Sequence, residues 1–505
     1  MTAGNNISPA DSGPNYHKYV LLLIGSLFLI RLGVLLVSPF NLHGDEAQYW
    51  AWSNDLDWGF FTKPPGIAAV IAAVTFVFGD AEWAVRMGSP LLHSITAYII
   101  YRTTRFAFSS VAGFWAAAVY LLMPALWLSS TIISTDVPLL LCWAIALNAW
   151  VHLRSKPSWA RAFQLGMALG LGFLSKYAML FFLPAIFLVL MFDRPTRRAL
   201  LGPRGFLVLA IFAAWAAPNM IWNMNHDFAT LTHTAANADY AGGLPFHPLQ
   251  LLEFALGQLA VFGPVSFGLL VCAALWAWKK HPDQLTLMLT IFAIMPLAII
   301  AVQALTSRAD LNWAVTAYIA APILTAHFGV THWPRMKNWM RYNLIFQTAI
   351  CLIFGSLYLV PDIVNAAGRA NDVKRLRGWP ATAAQLSSVY DRGHEGRNFR
   401  AIAMDKRMHF YALNYYGLAE TGPVYMWLYK SRPNNNHAEI SHPLPAGEAP
   451  VLIINYHDKP DYISALLEDF TRLEPLTDLD IDLGGGKRRV LKLWAGYNYQ
   501  PTTTR

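Results

Sequence analysis

The chain has 505 residues, of which 55% are hydrophobic and 13% are charged, and its formal net charge at pH 7 is +8. Soluble proteins normally carry about 25% charged residues, so the composition excludes a soluble globular protein and indicates one that crosses a membrane repeatedly. The positive charge does not indicate nucleic-acid binding, because a nucleic-acid binder clusters its basic residues on one soluble face. Here they lie mostly in short segments between apolar runs.

Apolar runs near the length that crosses a bilayer, about 20 residues, follow one another from residue 19 to residue 360. The first run has no small-residue cleavage site, so we interpret it as a retained anchor in contact with membrane lipids. The run at 67–78 is shorter and lies between polar segments, which predicts an interfacial or re-entrant helix. About eleven transmembrane helices (10–13) are predicted, at residues 19–39, 84–101, 111–128, 137–152, 162–175, 177–192, 205–222, 255–278, 285–304, 313–330 and 342–360.

The distribution of Lys and Arg supports this topology. Short cytoplasmic loops are enriched in these residues. If the N-terminus is cytoplasmic and the run at 67–78 does not cross, one set of loops holds fifteen Lys and Arg residues and the opposite set holds four. The four on the predicted outer side are Lys63, Arg86, Lys176 and Arg308.

The last part of the chain, residues 362–505, lies on the outer side in this topology. Strand-like runs occur at 399–404, 451–456 and 490–493, and helical patterns at 382–390 and 461–470. We therefore predict two domains, a transmembrane domain at 1–361 and a small soluble α/β domain at 362–505.

Polar residues collect on the predicted outer side, close to the membrane boundaries. Ionisable groups at membrane depth are costly and usually functional, so we interpret these residues together as a candidate site. They are Asp45, Glu46, Lys63 and Arg86 in the first outer loop, Asp136 in the second, Lys176 in the third, His226 in the fourth, and Arg308 and Asn312 in the fifth.

Several of these residues also have a purely structural interpretation. Asp136, which is followed closely by Pro138, is typical of the start of a helix. Lys176 could extend towards lipid headgroups. Arg308 could form a surface ion pair with Asp310, worth less than about 1 kcal/mol. These alternatives remain open from the sequence.

Carboxylates and cations at one membrane face suit the transfer of a group from a phosphate. Preorganised Lys and Arg stabilise the charge that develops on a leaving phosphate, and a nearby acid can take the proton of an attacking hydroxyl. The sequence contains no Walker A motif, no dinucleotide-binding glycine motif and no zinc-binding His-Glu-x-x-His helix. An activated lipid could supply the energy for such a transfer outside the cytoplasm.

Six motifs in order resemble those of a known family. They are the Asp45-Glu46 pair after the first span, the Lys-Pro-Pro turn at Lys63, FGDAEWAVRMGS at 78–89, the Asp-x-Pro-Leu that begins at Asp136, GLGFLSKYAML at 170–180 and PNMIWNMNHDF at 218–228. Together they resemble the GT-C superfamily of polyprenyl-phosphate-sugar glycosyltransferases. The similarity covers roughly residues 19–330 and is greatest to lipid A aminoarabinose transferases and bacterial protein O-mannosyltransferase-like enzymes.

The resemblance implies an inverting glycosyltransferase with a lipid-linked sugar donor and a GT-C fold, including juxtamembrane helices in the first outer loop. By position, Asp45 matches the catalytic or acceptor-orienting aspartate and Lys63 matches the lysine that meets the donor phosphate. Asp136 matches the second outer-loop acid. Glu46, Arg86, Lys176 and His226 fall in family motifs as substrate-binding candidates, whereas Arg308 and Asn312 are inferred from the topology.

Two positions depart from the aminoarabinose branch. Gln48 stands where that branch has an arginine, and Thr62 precedes Lys63 where it has a glutamate. These departures argue against an aminoarabinose donor and against a metal held by that glutamate, so we predict no metal ligands, and a divalent metal cofactor is left open. We expect a donor with another sugar, for example a uronic acid, and a periplasmic acceptor that is lipid A, lipopolysaccharide core or another glycan.

Other functional classes remain as alternatives. A protein O-glycosyltransferase of the same superfamily shares the donor chemistry. A transporter or flippase of lipid-linked sugars would have internal repeats and midplane sites, and the sequence indicates neither. A non-catalytic scaffold or sensor would not need the ordered acids and lysines. A multi-pass protein of the bacterial inner membrane, with its active site and C-terminal domain in the periplasm, is the localisation that we predict.

Overall fold

The structure, a computed structural model, describes residues 15–238, 246–429, 436–455 and 459–502. The described part of 16–359 is almost entirely helical. Its α-helices are α1 (Tyr16–Leu36), α2 (Gly44–Ser53), α3 (Gly66–Phe78), α4 (Glu82–Ala107), α5 (Ser110–Leu121), α6 (Pro124–Ser129), α7 (Asp136–Ser155), α8 (Trp159–Ser175), α9 (Phe182–Phe192), α10 (Arg194–Leu200), α11 (Pro203–Asn225), α12 (Ala229–Ala238), α13 (Pro248–Phe262), α14 (Pro264–Lys280), α15 (Gln284–Thr306), α16 (Ala317–Thr331) and α17 (Trp333–Leu359), with 3-10 helices at Tyr177–Phe181 and Leu311–Ala314.

The described helices confirm a polytopic membrane protein but not the predicted number of spans. Five of them, α1, α7, α11, α15 and α17, are long and apolar enough to cross a membrane. Three strongly bent helix pairs raise the number to as many as eight if each pair counts as one span. The predicted eleven spans are therefore not confirmed.

The predicted span at 255–278 is wrong as a single helix. It divides into α13 and α14, which are bent by 107°. Gly263 between them has a φ of 90°, which glycine adopts without the steric cost that a side chain would bring. Pro264 then begins α14, where its missing N–H is tolerated.

The predicted span at 111–128 is also interrupted, between α5 and α6. Arg31 of α1 donates a hydrogen bond of 2.5 Å to the carbonyl of Leu121 at the end of α5. The Cys351 thiol donates a hydrogen bond of 3.4 Å to the carbonyl of Leu122. Helix-end carbonyls inside a bundle need such partners, so the buried Arg31 has a structural explanation.

The helical core surrounds α7, most of whose apolar stretch is buried. Trp143 and Trp150 on this helix are fully buried and pack with Phe182 and Phe292. This packing fixes the start of α7, which carries Asp136, relative to the neighbouring helices.

The C-terminal unit follows α17 and is an α/β structure. Its strands are β1 (Ala401–Met404), β2 (Val424–Met426), β3 (Val451–Asn455), β4 (Phe470–Pro475), β5 (Leu479–Gly484) and β6 (Lys487–Tyr499). The sheet order is β2-β1-β3-β6-β4, with β5 paired to β6. β1 is parallel to β2 and β3, whereas β6 is antiparallel to β3, β4 and β5.

The helices of this unit are α18 (Pro361–Ala366), α19 (Ala370–Val373), α20 (Trp379–Arg392), α21 (Arg407–Tyr415), α22 (Leu418–Thr421), α23 (His437–Ser441) and α24 (Pro460–Asp469), with a 3-10 helix at Lys374–Leu376. The predicted strands correspond to β1, β3 and part of β6, with residue 456 outside the described residues, and the predicted helices correspond to α20 and α24. β2, β4 and β5 were not predicted.

The C-terminal unit packs on the segment between α1 and α4, the predicted first outer loop, through a shared hydrophobic core. Tyr49 and Trp52 of α2 and Phe60 belong to the same buried cluster as Phe410 and Tyr411 of α21. Backbone hydrogen bonding joins the two regions as well, since the amide of Asn41 donates to the carbonyl of Leu376 at 2.9 Å. The predicted boundary at 361/362 stays a prediction, but the packing continues across it.

Candidate active site

Helix α2 sets the directions of the two adjacent acids. His43 caps its N-terminus, and the Glu46 carboxylate accepts a hydrogen bond of 2.8 Å from the His43 amide, which completes a capping box. Asp45 and Glu46 are neighbours in a helix, so their side chains point in different directions. Glu46 is consequently buried, whereas the Asp45 side chain is 39% exposed.

Glu46 and Arg86 form a buried ion pair. Two hydrogen bonds of 2.9 and 2.8 Å join them, and the Glu46 carboxylate also accepts from the Ile133 amide at 3.0 Å. Arg86 donates further to the carbonyls of Phe40 and Asn41. Their predicted role as donor-phosphate or substrate ligands stays a prediction, and in this structure their polar atoms already have protein partners. The geometry indicates instead that they fix α2 against α4.

Asp45 contacts a residue that sequence reasoning missed. Arg407, the first residue of α21, lies with Nη1 2.9 Å from the Asp45 carboxylate and also donates a hydrogen bond to the side-chain oxygen of Gln48. Arg407 follows a buried strand and another basic residue, Lys406. That pattern places a basic pair after a strand, but nothing in the local sequence connects it to Asp45, so it could not identify Arg407 as a site residue.

A second cluster of polar groups forms at the start of α7. Asp136 accepts hydrogen bonds of 2.6 Å from the Lys176 ammonium and 2.7 Å from the Asn312 amide. It makes no side-chain cap of its own helix, for which Thr135 is the N-cap residue. Lys176 is therefore paired, not extended towards headgroups, and the structure brings together three residues that were predicted from three different outer loops.

Lys63 lies close to both groups of residues. Its side chain interacts electrostatically with Lys176, Asp136, Asp45 and Arg407, yet within the described chain its ammonium makes no hydrogen bond or ion pair. Burial first, and then the positive charge of Lys176, lowers the pKa of Lys63 below its usual value. An unpaired, half-buried cation is costly, and a bound anion would offset that cost.

The structure does not bring Arg308 into this group. Its side chain is 73% exposed and forms an ion pair of 3.1 Å with Asp310, as in the surface-pair alternative, and its role in substrate binding stays a prediction. Outer-side topology fixes the face of the membrane but not the direction of a side chain.

His226 lies at the C-terminal end of α11. Its Nδ1 hydrogen-bonds to the carbonyl of Trp222 at 2.8 Å, and its ring stacks on the indole of that residue. Trp222 in turn donates a hydrogen bond of 2.5 Å to Asp57 of the first outer loop. This geometry makes His226 a support for that loop, and its predicted role in substrate binding stays a prediction.

Residues of these polar groups line two cavities. One, of about 530 Å³, lies between α2 and the C-terminal unit and is lined by Asp45 and Arg407. The other, of about 460 Å³, is mostly apolar and is lined by α6, α7, α13 and α17 residues, with Asp136 and Asn312 among its polar groups. The site thus has a polar approach and an apolar approach.

A metal position is not evident beside Asp45. In the part of the chain that the structure describes, side chains at metal-ligand spacing occur at His394, Glu395 and Glu474, where Arg472 already bridges the two glutamates. That group belongs to the C-terminal unit and lines neither cavity. A divalent metal in the reaction stays an open expectation.

Comparisons with known proteins agree with this fold. The family described as dolichyl-phosphate-mannose-protein mannosyltransferase matches residues 62–222. The chain is 34% identical over 343 residues to the lipid A galacturonosyltransferase RgtD of Rhizobium johnstonii, which covers 68% of this chain and 71% of that protein. It is 24% identical over 254 residues to the lipopolysaccharide core galacturonosyltransferase RgtA of the same organism, covering 48% and 51% respectively.

Among solved structures, ArnT from Cupriavidus metallidurans bound to undecaprenyl phosphate superposes with a TM-score of 0.63 at 14% identity, covering 95% of this chain and 98% of that one. Its apo form gives a TM-score of 0.65 with the same coverage. At this identity the match shows a shared fold, and it extends over both the helical region and the C-terminal unit.

Proposed function

The chain belongs to the GT-C superfamily of glycosyltransferases, and from that premise we propose that it transfers a uronic acid, galacturonic acid in the first instance, from a polyprenyl phosphate to lipid A or the lipopolysaccharide core. It is an enzyme and a multi-pass membrane protein. The proposal includes a bacterial inner-membrane location, with the site and the C-terminal unit on the periplasmic side. The sugar and acceptor follow the names of the curated relatives.

The observation that carries the proposal is the unpaired ammonium of Lys63, which interacts electrostatically with both members of the Asp136–Lys176 pair. A leaving phosphate needs preorganised positive charge, often the largest contribution to catalysis. Lys63 is available for that anion in the described structure. Lys176, whose ammonium donates to Asp136 at 2.6 Å, interacts electrostatically with Lys63. Asn312 holds the other oxygen of Asp136, which keeps the pair in place.

The apolar cavity suits the prenyl chain of the donor. Its lining includes Leu140, Val261 and Phe354, and Asp136 marks a polar position in that lining. A prenyl chain in this cavity stays out of water, while its phosphate reaches the cations. The undecaprenyl phosphate in the ArnT structure of the same fold supports this assignment of the donor.

In the proposed reaction, an acceptor oxygen attacks the anomeric carbon of the sugar as the bond from that carbon to the phosphate oxygen breaks. Polyprenyl phosphate leaves, and Lys63 and Lys176 stabilise its charge. Asp45 takes the proton of a hydroxyl acceptor, a contribution of typically ~10²–10⁴-fold. If the attacking group is an ionised phosphate, Asp45 orients it instead.

Purified full-length protein in detergent tests the proposal. We expect lipid A incubated with polyprenyl-phosphate galacturonic acid to gain a uronic-acid mass, and Asp45→Asn to abolish this while the protein stays folded. Transfer in detergent, without any gradient, excludes a transporter. A protein that accepts polyprenyl-phosphate aminoarabinose or mannose but not galacturonic acid would overturn the proposed donor, and modification of peptides alone would favour protein O-glycosylation.

A further inference from the structure

The cavity between α2 and the C-terminal unit is strongly cationic. Asp45 is the single carboxylate in its described lining, and the other charged side chains there are those of Lys and Arg. Trp379, Met408 and Leu483 provide its apolar part. The charged cations of the lining are Lys374, Arg375, Lys406, Arg407, Arg488 and Arg489.

These cations are not equally available. Arg489 is buried, donates hydrogen bonds of 2.9 Å to Thr382 and to the Arg377 carbonyl, and stacks over the Trp379 ring. It therefore forms part of the cleft floor. Arg407 is held by Asp45, and other cations of the lining have acidic neighbours in the same unit.

Lys374 and Arg375 differ from the rest. Their side chains make no hydrogen bond or ion pair with the described residues, and they lie in the segment that joins the helical region to α20. Arg375 is exposed and Lys374 is half-buried. Two adjacent unneutralised cations at the rim of a cleft attract anions, and the low-dielectric walls of the cleft strengthen that field.

We propose that this cleft binds the acceptor glycolipid through an anionic group, a phosphate or a sugar carboxylate, held by Lys374 and Arg375. The proposal rests on the proposed function and assigns the C-terminal unit a part in acceptor recognition. The donor phosphate meets Lys63 and Lys176 beside Asp136, whereas this cleft opens on Asp45, so the two substrates approach from different sides. An acceptor anchored at Lys374 and Arg375 places its nucleophile beside Asp45.

Binding without the donor tests this inference independently of catalysis. Full-length protein in nanodiscs is titrated with bisphosphorylated lipid A, phosphatase-treated lipid A and lipid A that carries carboxylate-bearing core sugars. We expect Lys374→Ala/Arg375→Ala to weaken binding of the relevant anionic form by about tenfold, as expected for removing two partly exposed charge contacts. The lipid form that loses affinity identifies phosphate or carboxylate as the anion.

The matched control is Arg335→Ala/Lys337→Ala, which removes the same two charges near the opposite end of α17. Its binding should equal that of the unaltered protein.

In transfer assays the Lys374→Ala/Arg375→Ala variant should show an acceptor KM that is raised by a similar factor and a donor KM that is unchanged. Unchanged acceptor binding in a folded variant overturns the inference, as does a rise in the donor KM alone. The inference is also overturned if the variant loses affinity for phosphatidylglycerol vesicles by the same factor as for lipid A. Absence of any sugar transfer by the unaltered protein refutes the proposed function but leaves the binding result to stand by itself.

Discussion

Arg407 Nη1 lies 2.9 Å from Asp45 Oδ1, although the two residues are 362 positions apart in the chain. The pair connects the C-terminal unit directly to the acid that opens α2. Gly44 allows this approach, because a Cβ at that position would lie 2.8 Å from the Cε atom of Met408 in α21. The C-terminal unit is thus part of the candidate active site and not an appendage to it.

We expect Arg407→Ala to lower kcat/KM for sugar transfer by about tenfold or more. The side chain holds the Asp45 carboxylate with a charge-assisted hydrogen bond, and losing such a bond typically costs about 1.5–3 kcal/mol. Steady-state kinetics with purified protein measure the change. Arg392→Ala, which alters an exposed arginine of α20, is the control and should behave normally. Full activity of Arg407→Ala would remove Arg407 from the site.

Lys63 gives an expectation for pH dependence. Its pKa is lowered by burial and by Lys176, so its charge is lost at a lower pH than for an ordinary lysine. Only the ammonium attracts the donor phosphate, and donor affinity should therefore fall as the pH rises through this lowered pKa. In Lys63→Arg the fall should move to higher pH, because arginine stays protonated.

Titration of polyprenyl phosphate into the full-length protein between pH 6 and pH 10 measures this effect. Lys63→Ala should bind weakly and lose the alkaline decline. An unchanged pH profile in both variants would show that a different group binds the phosphate.

The sequence predicted that several of the candidate residues lie together, because the predicted topology assigns their loops to one side of the membrane. Asp136, Lys176 and Asn312 were assigned to one site from their loops, and they do meet in the structure. Arg308 lies outside this group and pairs with Asp310, because topology specifies a membrane face but not a side-chain direction. Arg407 could not be found, since its partner is distant in sequence and only the folded C-terminal unit brings them together.

In the fold, too, features set by the local sequence could be predicted, whereas features set by tertiary contacts could not. Hydropathy located the apolar segments but not the sharp bend between α13 and α14, although Gly263 and Pro264 were a readable signal for it. The strand β5 alternates buried and exposed residues, so its period of two was also readable. Its pairing with β6 was not, because strand register depends on tertiary contacts.

A substitution of Glu46 can distinguish a structural role of this residue from the predicted role in substrate binding. Removing one partner of a buried ion pair leaves the other charge uncompensated, which typically costs about 3–5 kcal/mol. We expect Glu46→Ala to lower Tm markedly and to reduce acceptor and donor binding together, as α2 loses its attachment to Arg86. Thermal unfolding in detergent measures the loss. The exposed acid Glu420, changed to alanine, serves as the control. A Glu46→Ala protein of normal Tm that loses only donor binding would restore the predicted ligand role.

The apolar cavity can be filled to test the donor route. Ala260 lines it on α13, and Ala260→Trp should raise the donor KM at least several-fold by occupying space that the prenyl chain needs. The acceptor KM should not change. Ala255→Trp, on the same helix but outside the lining, controls for a bulky residue in α13. If both variants bind polyprenyl phosphate normally, the prenyl chain lies elsewhere.

The contact between the C-terminal unit and the first outer loop should depend on pH through His437. This side chain packs edge-on against Trp52 and Phe60, and burial lowers the pKa of His437 to about 4 from an ordinary 6.5. In the released state the ring binds a proton more readily than in the packed state. Stability from this contact is therefore complete above about pH 6.5 and falls as the pH decreases towards 4.

We expect the full-length protein to lose up to about 3 kcal/mol of stability over this interval, which corresponds to a pKa difference of about two and a half units. Tm recorded from pH 7 to pH 4.5 should decline, and His437→Phe should flatten that decline because phenylalanine fills the site without taking a proton. His281→Gln, which changes an exposed histidine beyond α14, should keep the original slope. An identical slope in His437→Phe would show that other groups cause the acid sensitivity, because the burial of His437 then makes no measurable contribution.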